Sequence, residues 1–199
     1  MAQDPKYDLP IYTPTARGLH WLIALLIFIQ LPLGFYMSYR GNEMPSVNEK
    51  GEPVKGVWDA LTGFLYSSHK LIGLTVLALV VWRLFYRLTR GAPKSDPTVP
   101  APLTGVSHLV HWVLYLLILA VPLIGLEAIL YGDYRDIFGF QLPAMTVKDE
   151  DLAKELFEWH EIGAILLIVF VTLHILAAIY HRFIRGDRVV ERMIPKRVG

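Results

Sequence analysis

The chemistry this 199-residue chain can offer lies in its seven histidines, because it contains no cysteine. Four of them, His20, His69, His160 and His174, fall within or at the ends of long apolar runs, where an imidazole is costly and asks for a partner. His160 and His174 are 14 residues apart. At about 100° per residue that interval is about 1400°, within about 40° of four full helical turns, so both rings project from one face, separated by roughly 21 Å of axis. A single helix thus presents two neutral imidazole ligands to two sites stacked along it. A four-ligand zinc site would need its donors within one small sphere, which that separation forbids. A di-iron site in a bundle would want paired carboxylates with Glu-x-x-His spacing, yet Glu127 and Glu161, the only acids within apolar runs, stand near span ends. The missing cysteines exclude disulfides, thiolate zinc, Cys-ligated iron–sulfur clusters and haem attached through Cys-x-x-Cys-His. Widely spaced histidines on three different helices suit a large planar cofactor, and the expectation is two haems.

The elements that must position these histidines are membrane spans. The chain is 54% hydrophobic with a mean hydropathy of +0.41, and about 20 apolar residues suffice to cross a bilayer. Spans are expected at about 19–39, 64–86, 106–131 and 157–181, forming one four-helix transmembrane bundle of the all-α class, a single domain over 1–199. Pro32 and Gly34 near the end of the first span are expected to kink it or admit a close neighbour. The stretch 91–102, with Pro93, Pro97, Pro100 and Pro102, reads as an extended connector. The loops at 40–55 and 132–154 read as polar, the second acidic, and its Ile137–Phe138–Gly139–Phe140 patch as interfacial. Residues 1–16 lack the pattern of a cleaved leader. Lys6, Arg17, Arg83, Arg87, Arg90, Lys94, Arg182, Arg185, Arg188, Arg192, Lys196 and Arg197 gather at the two termini and the middle connector. Glu43, Glu49, Glu52, Asp133, Asp136, Asp149, Glu150 and Asp151 lie in the other two loops. The positive-inside rule then puts both termini in the cytoplasm.

That orientation assigns depth. His20 and His174 form an inner pair, His69 and His160 an outer one. Fourteen residues after His20 and His111 stand Gly34 and Gly125, which would leave room for a macrocycle at the outer level; fourteen after His69 stands Arg83, placed to hold an inner propionate. Gly73, Gly163 and Ala178 would add space one turn from His69, His160 and His174. His108 and His111 open the third span, and either bonds a propionate, carries protons to a quinone, or stays wet at the interface. His181 at the inner rim either stays in water or touches an inner propionate. Trp21, Trp82, Trp112 and Trp159 near span ends read as interface anchors.

Arg17-Gly-Leu-His20-Trp21, His69-Lys-Leu-Ile-Gly73 with Trp82-Arg83-Leu, His108-Leu-Val-His111, and His160-Glu-Ile-Gly with Leu-His174 together resemble the bacterial cytochrome b561 family. The resemblance covers about Thr15 to Pro195, including the closing His181-Arg-Phe-Ile-Arg and Arg-Met-Ile-Pro. It implies two non-covalent b haems, each held by two histidines, and electron exchange with ubiquinone or another quinone. Some members are similar to the superoxide oxidase, which passes electrons from superoxide to ubiquinone. The expected function is therefore transmembrane electron transfer by His20, His69, His160 and His174 as iron ligands, with Arg83, His108 and His111 as further cofactor contacts. The partners expected are membrane lipid, a quinone and an electron donor the sequence does not name, with no nucleic acid. The alternatives are a haem-bearing anchor subunit of a dehydrogenase or hydrogenase, and a protein without haem whose histidines relay protons.

Overall fold

The structure, a computed structural model, describes residues 11–194; Lys6, Lys196 and Arg197 of the positive-inside argument lie outside them. Four long helices dominate: α1 (Pro14–Asn42), α2 (Ala60–Arg90), α3 (Ala101–Tyr131) and α4 (Glu150–Ile179), the last running on into a π-helical turn at Tyr180–Arg185. All four are long and apolar enough to cross a membrane. Their outward faces stay apolar, as in Leu25, Phe28, Phe85 and Leu116, each more than half exposed, which is the pattern of a bundle solvated by lipid.

Each helix begins at a local signal. Thr13 accepts from the Ala16 N–H, Asp59 from the Thr62 N–H and Asp149 from the Leu152 N–H, the side-chain caps that occupy orphan amide donors. Pro100 precedes α3, which has a proline in its first turn in place of a side-chain cap. Gly91, at φ 73°, ends α2. The helices exceed the expected spans at most ends because these caps lie in the polar flanks: α4 starts seven residues before Phe157, on the acidic turn that suits a helix N-terminus. α1 is one continuous helix through Pro32, and Gly34 admits the His69 ring as its close neighbour.

The two polar loops carry small hairpins. β1 (Pro45–Val47) pairs with β2 (Pro53–Lys55), and β3 (Asp136–Ile137) with β4 (Phe140–Gln141), both antiparallel. Phe138 and Gly139 make the second turn, both at positive φ, as a two-residue hairpin turn requires. That hairpin is tied onto α2: the Phe138 N–H donates to Ser67 Oγ at 3.3 Å, and Lys70 Nζ to the Tyr134 and Asp136 carbonyls at 2.7 and 2.9 Å. It roofs the end of the bundle that holds His69.

The other end is closed by the carboxyl tail. Trp21 Nε1 donates to the Met193 carbonyl, Arg17 to that of Ile194, Arg192 to that of Lys94 and Arg185 to that of Thr98. Asp187 anchors the bend, bonded by His181 Nδ1 at 2.6 Å and Arg185 Nε at 3.0 Å. Burial pushes its carboxyl up, but the hydrogen bonds from His181, the Val189 N–H and Arg185 outweigh that and hold it below the ordinary aspartate value. A depressed carboxyl contributes stability that is present above the unfolded value, about 3.9, and is lost as pH falls through the folded one. Tail amides near Val189 should therefore keep their hydrogen-exchange protection from neutral pH down to about 4 and lose it below, and Asp187→Ala should lack that protection at every pH.

Around the bundle α1 packs on α2, α2 on α3 and α3 on α4, whereas close backbone contacts of α4 with α1 or α2 are sparse. The core joins Ile23, Ile27, Val76, Val80, Leu114 and Leu167. Leu167 lies midway in sequence between His160 and His174, so this apolar plug fills the level between the two histidine pairs.

Candidate haem-binding site

The four histidines meet as two pairs. The His20 and His174 rings stand 6.2 Å apart, centre to centre, with their planes at 77°; His69 and His160 stand 6.0 Å apart at 81°. Each pair reaches across the bundle where α4 approaches α1 or α2 only sparsely. The separation is informative. Metal–imidazole bonds run about 2.0–2.1 Å and a ring centre lies about 1 Å behind its nitrogen, so two imidazoles on opposite sides of one metal ion have centres roughly 6 Å apart. Among the described residues no three His, Asp or Glu gather into a metal cage. A metal seated between such a pair would have to bring further donors of its own, as haem iron does. The donor set and its spacing fit that group.

Local packing prepares the outer pair further. A Cβ at Gly125 would come 2.7 Å from His160 Nδ1, and one at Gly34 would come 2.9 Å from His69 Cε1, so both glycines border the outer rings, the level at which the 14-residue interval put them. The His160 Nδ1–H donates to the Val121 carbonyl at 2.8 Å, which leaves Nε2 free for a metal. The backbone acceptor on α3 has no signature in the sequence. Gly163 admits Val121 Cγ2, and Gly73 admits the amide of Gln30, so these two glycines serve helix contact in place of open space beside His160 and His69. Gln30 Nε2 donates to the His69 carbonyl at 2.9 Å; the only hint of it in the sequence is a lone amide within an apolar run.

The remaining candidates separate. His111 joins the inner pair, its ring 5.2 Å from that of His174, and its Nδ1–H donates to the Ser107 carbonyl at 2.5 Å. His108 points away, exposed and 3.3 Å from Ser95 Oγ. His181 is engaged by Asp187. Arg83 donates to the Ala16 carbonyl at 2.6 Å, with its guanidinium 6.0 Å over the Tyr115 ring. With Tyr12, Tyr86 and Arg87 it lines a cleft at the tail end of the bundle. Trp21 is held by the tail carbonyl of Met193 and so has a bonding role besides any interfacial one.

A family model described as prokaryotic cytochrome b561 matches residues 11–196. The chain is 31% identical over 190 residues to a protein of Yersinia pestis named probable superoxide oxidase CybB, covering 94% of this chain and 98% of that one. It is 25% identical to cytochrome b561 homolog 1 of Escherichia coli K12 and 27% identical to cytochrome b562 of Cereibacter sphaeroides, each over 94% of this chain and 98% of the relative. The chain thus belongs to the prokaryotic cytochrome b561 family, multi-pass haem proteins of the bacterial inner membrane that carry electrons.

Proposed function

We propose that the protein carries electrons across the membrane on two b haems, one between His20 and His174 and one between His69 and His160, and exchanges them with a quinone. The observation that carries this reading is the pair of 6 Å imidazole separations, 6.2 and 6.0 Å, at two levels of one helix. Haem, when bound, supplies a reversible one-electron iron couple, and two histidines leave no coordination position open to oxygen or substrate. The chain's own work is to hold the rings. Val121 fixes the tautomer and angle of His160, and Ile23, Ile27, Val76, Val80, Leu114 and Leu167 keep water from the level between the pairs. Arg83, near the inner pair, offers a guanidinium for a propionate. The cleft of Tyr12, Arg83, Tyr86, Arg87 and Tyr115 combines aromatic walls with hydrogen-bond donors, the lining a quinone head would use.

In this reading both termini face the cytoplasm, supported by Arg17, Arg83, Arg87, Arg90, Arg182, Arg185 and Arg188 at one end of the bundle. The chain has no cysteine, which makes the orientation easy to measure. A cysteine at Val147, 86% exposed, should react with a membrane-impermeant maleimide in intact spheroplasts, whereas one at Ser95 should react only after the membrane is opened.

The test of the function is the visible spectrum and haem content of the purified protein. Low-spin bands on reduction, about two haems per chain by pyridine haemochrome, and reoxidation by a soluble quinone are expected. A colourless protein from haem-replete cells would sink the proposal. Superoxide and a quinol should be compared as reductants, since the Yersinia pestis relative bears a superoxide-oxidase name. A redox subunit that co-purifies in equal amount would favour the anchor-subunit alternative.

A further inference from the structure

The two rings of the outer pair are held unequally. His160 Nδ1–H has its acceptor in the Val121 carbonyl, whereas His69 Nδ1 is buried with no partner. A histidine that gives Nε2 to a metal carries its proton on Nδ1, and that proton ordinarily goes to a carbonyl, carboxylate or water. Four buried side-chain atoms lack partners among the described residues: Arg17 Nε, Gln30 Oε1, His69 Nδ1 and Thr146 Oγ1. Arg17 belongs to the tail end of the bundle and Thr146 to the loop before α4, but Gln30 and His69 already touch. Gln30 Nε2 donates to the His69 carbonyl at 2.9 Å, in a space kept open by Gly73, where a Cβ would come within 3.2 Å of that nitrogen. The His69 ring lies over Gly34, one turn along α1 from Gln30, with Nδ1 3.3 Å from where a Gly34 Cβ would stand. An orphan acceptor and an orphan donor thus share one seam between α1 and α2.

We propose that Gln30 is a positioning residue for the outer centre: its amide donates to the His69 main-chain carbonyl and supplies, through Oε1, the acceptor that the His69 Nδ1–H requires when Nε2 binds iron. The glutamine side chain has three torsions, enough to turn the amide toward the ring without moving α1. The inference rests on the reading that His69 and His160 hold a haem. Its consequence is electronic as well as steric. An acceptor on Nδ1–H raises the basicity of the ligating nitrogen, which favours ferric over ferrous iron and lowers the potential of the outer centre alone. A glutamine that only ties α1 to α2 through the His69 carbonyl would give the same result in Gln30→Glu as in Gln30→Met, since neither side chain carries the amide donor.

The test is an anaerobic redox titration of the purified protein, followed at the visible bands, for the unsubstituted chain, Gln30→Met and Gln30→Glu. His69→Ala identifies the outer centre as the one it removes. Gln30→Met, apolar and of similar size, should raise the midpoint of the outer centre and leave the inner one in place; Gln30→Glu, which restores an acceptor, should bring the outer midpoint back down. Loss of the outer haem alone in Gln30→Met, with retention in Gln30→Glu, carries the same conclusion. Unchanged midpoints, an equal movement of both, or loss of both haems in both variants would overturn the role of Gln30. Absence of an outer haem from the unsubstituted protein would instead overturn the reading beneath it.

Discussion

His174→Ala should leave a protein with about half the haem of the unsubstituted chain, all of it at the outer centre, because an iron that loses one of two protein ligands loses its seat in the bundle. His111 is the other imidazole nearby, 5.2 Å from the His174 ring, and with its Nδ1–H bonded to the Ser107 carbonyl its Nε2 is free to bind in turn. The control is therefore His111→Ala, which should keep both haems. The measurement is pyridine haemochrome content together with the reduced spectrum of membranes and of purified protein. A His174→Ala protein with full haem content would mean that His174 is not a ligand, and a His111→Ala protein lacking the inner haem would move the assignment to His111. The outer centre should survive because its ligands lie about 21 Å away along α4, beyond the apolar plug around Leu167.

That arrangement was legible in the chain to a particular depth. The 14-residue interval from His160 to His174 defines a shared helix face by periodicity alone, and the alternation of basic and acidic ends pairs His20 with His174 and His69 with His160 before any coordinates. Gly34 and Gly125 were legible by the same interval, and both border the outer rings. What periodicity cannot carry is contact between different helices at the level of single atoms. The Val121 carbonyl that holds His160 is a backbone atom and leaves no mark on residue type. Arg83 reads from sequence as a propionate ligand, yet one of its nitrogens is spent on the Ala16 carbonyl, a pairing that depends on how α1 and α2 stagger. His108 and His111, three residues apart, read as equivalent; on a helix that interval is about 300°, and only one of them turns toward His174. The carboxyl tail was legible only as positive charge, whereas the structure folds it back on Trp21, Arg17 and Lys94 through main-chain carbonyls.

Gly125→Val should remove the outer haem as completely as substitution of a ligand, although Gly125 touches no metal. A Cβ at this position would stand 2.7 Å from His160 Nδ1 and 2.8 Å from Cε1, closer than van der Waals contact allows, so one of the two must move. A surface side chain would yield at little cost. The His160 ring does not, because its Nδ1–H is bonded at 2.8 Å to the Val121 carbonyl, one turn earlier on the same helix. The steric push and the hydrogen bond thus act on one edge of the ring, and the branched valine adds two methyl groups with a stiff torsion to that edge. Overpacking of this kind costs about 1–3 kcal/mol in an ordinary core. Here it is paid by rotating His160, which breaks the Val121 bond and carries Nε2 out of line with His69. The helix itself should tolerate the change, since valine is well accepted in apolar spans. The expected protein inserts normally, keeps the inner haem and its spectrum, and binds about half the haem. Gly125→Ala, with one carbon in place of three, should retain an outer centre of weakened haem affinity, seen as faster transfer of haem to an apo-globin acceptor. Full haem content in Gly125→Val, or equal loss at both levels, would show that α3 does not border the outer pocket as the His160–Gly125 contact requires.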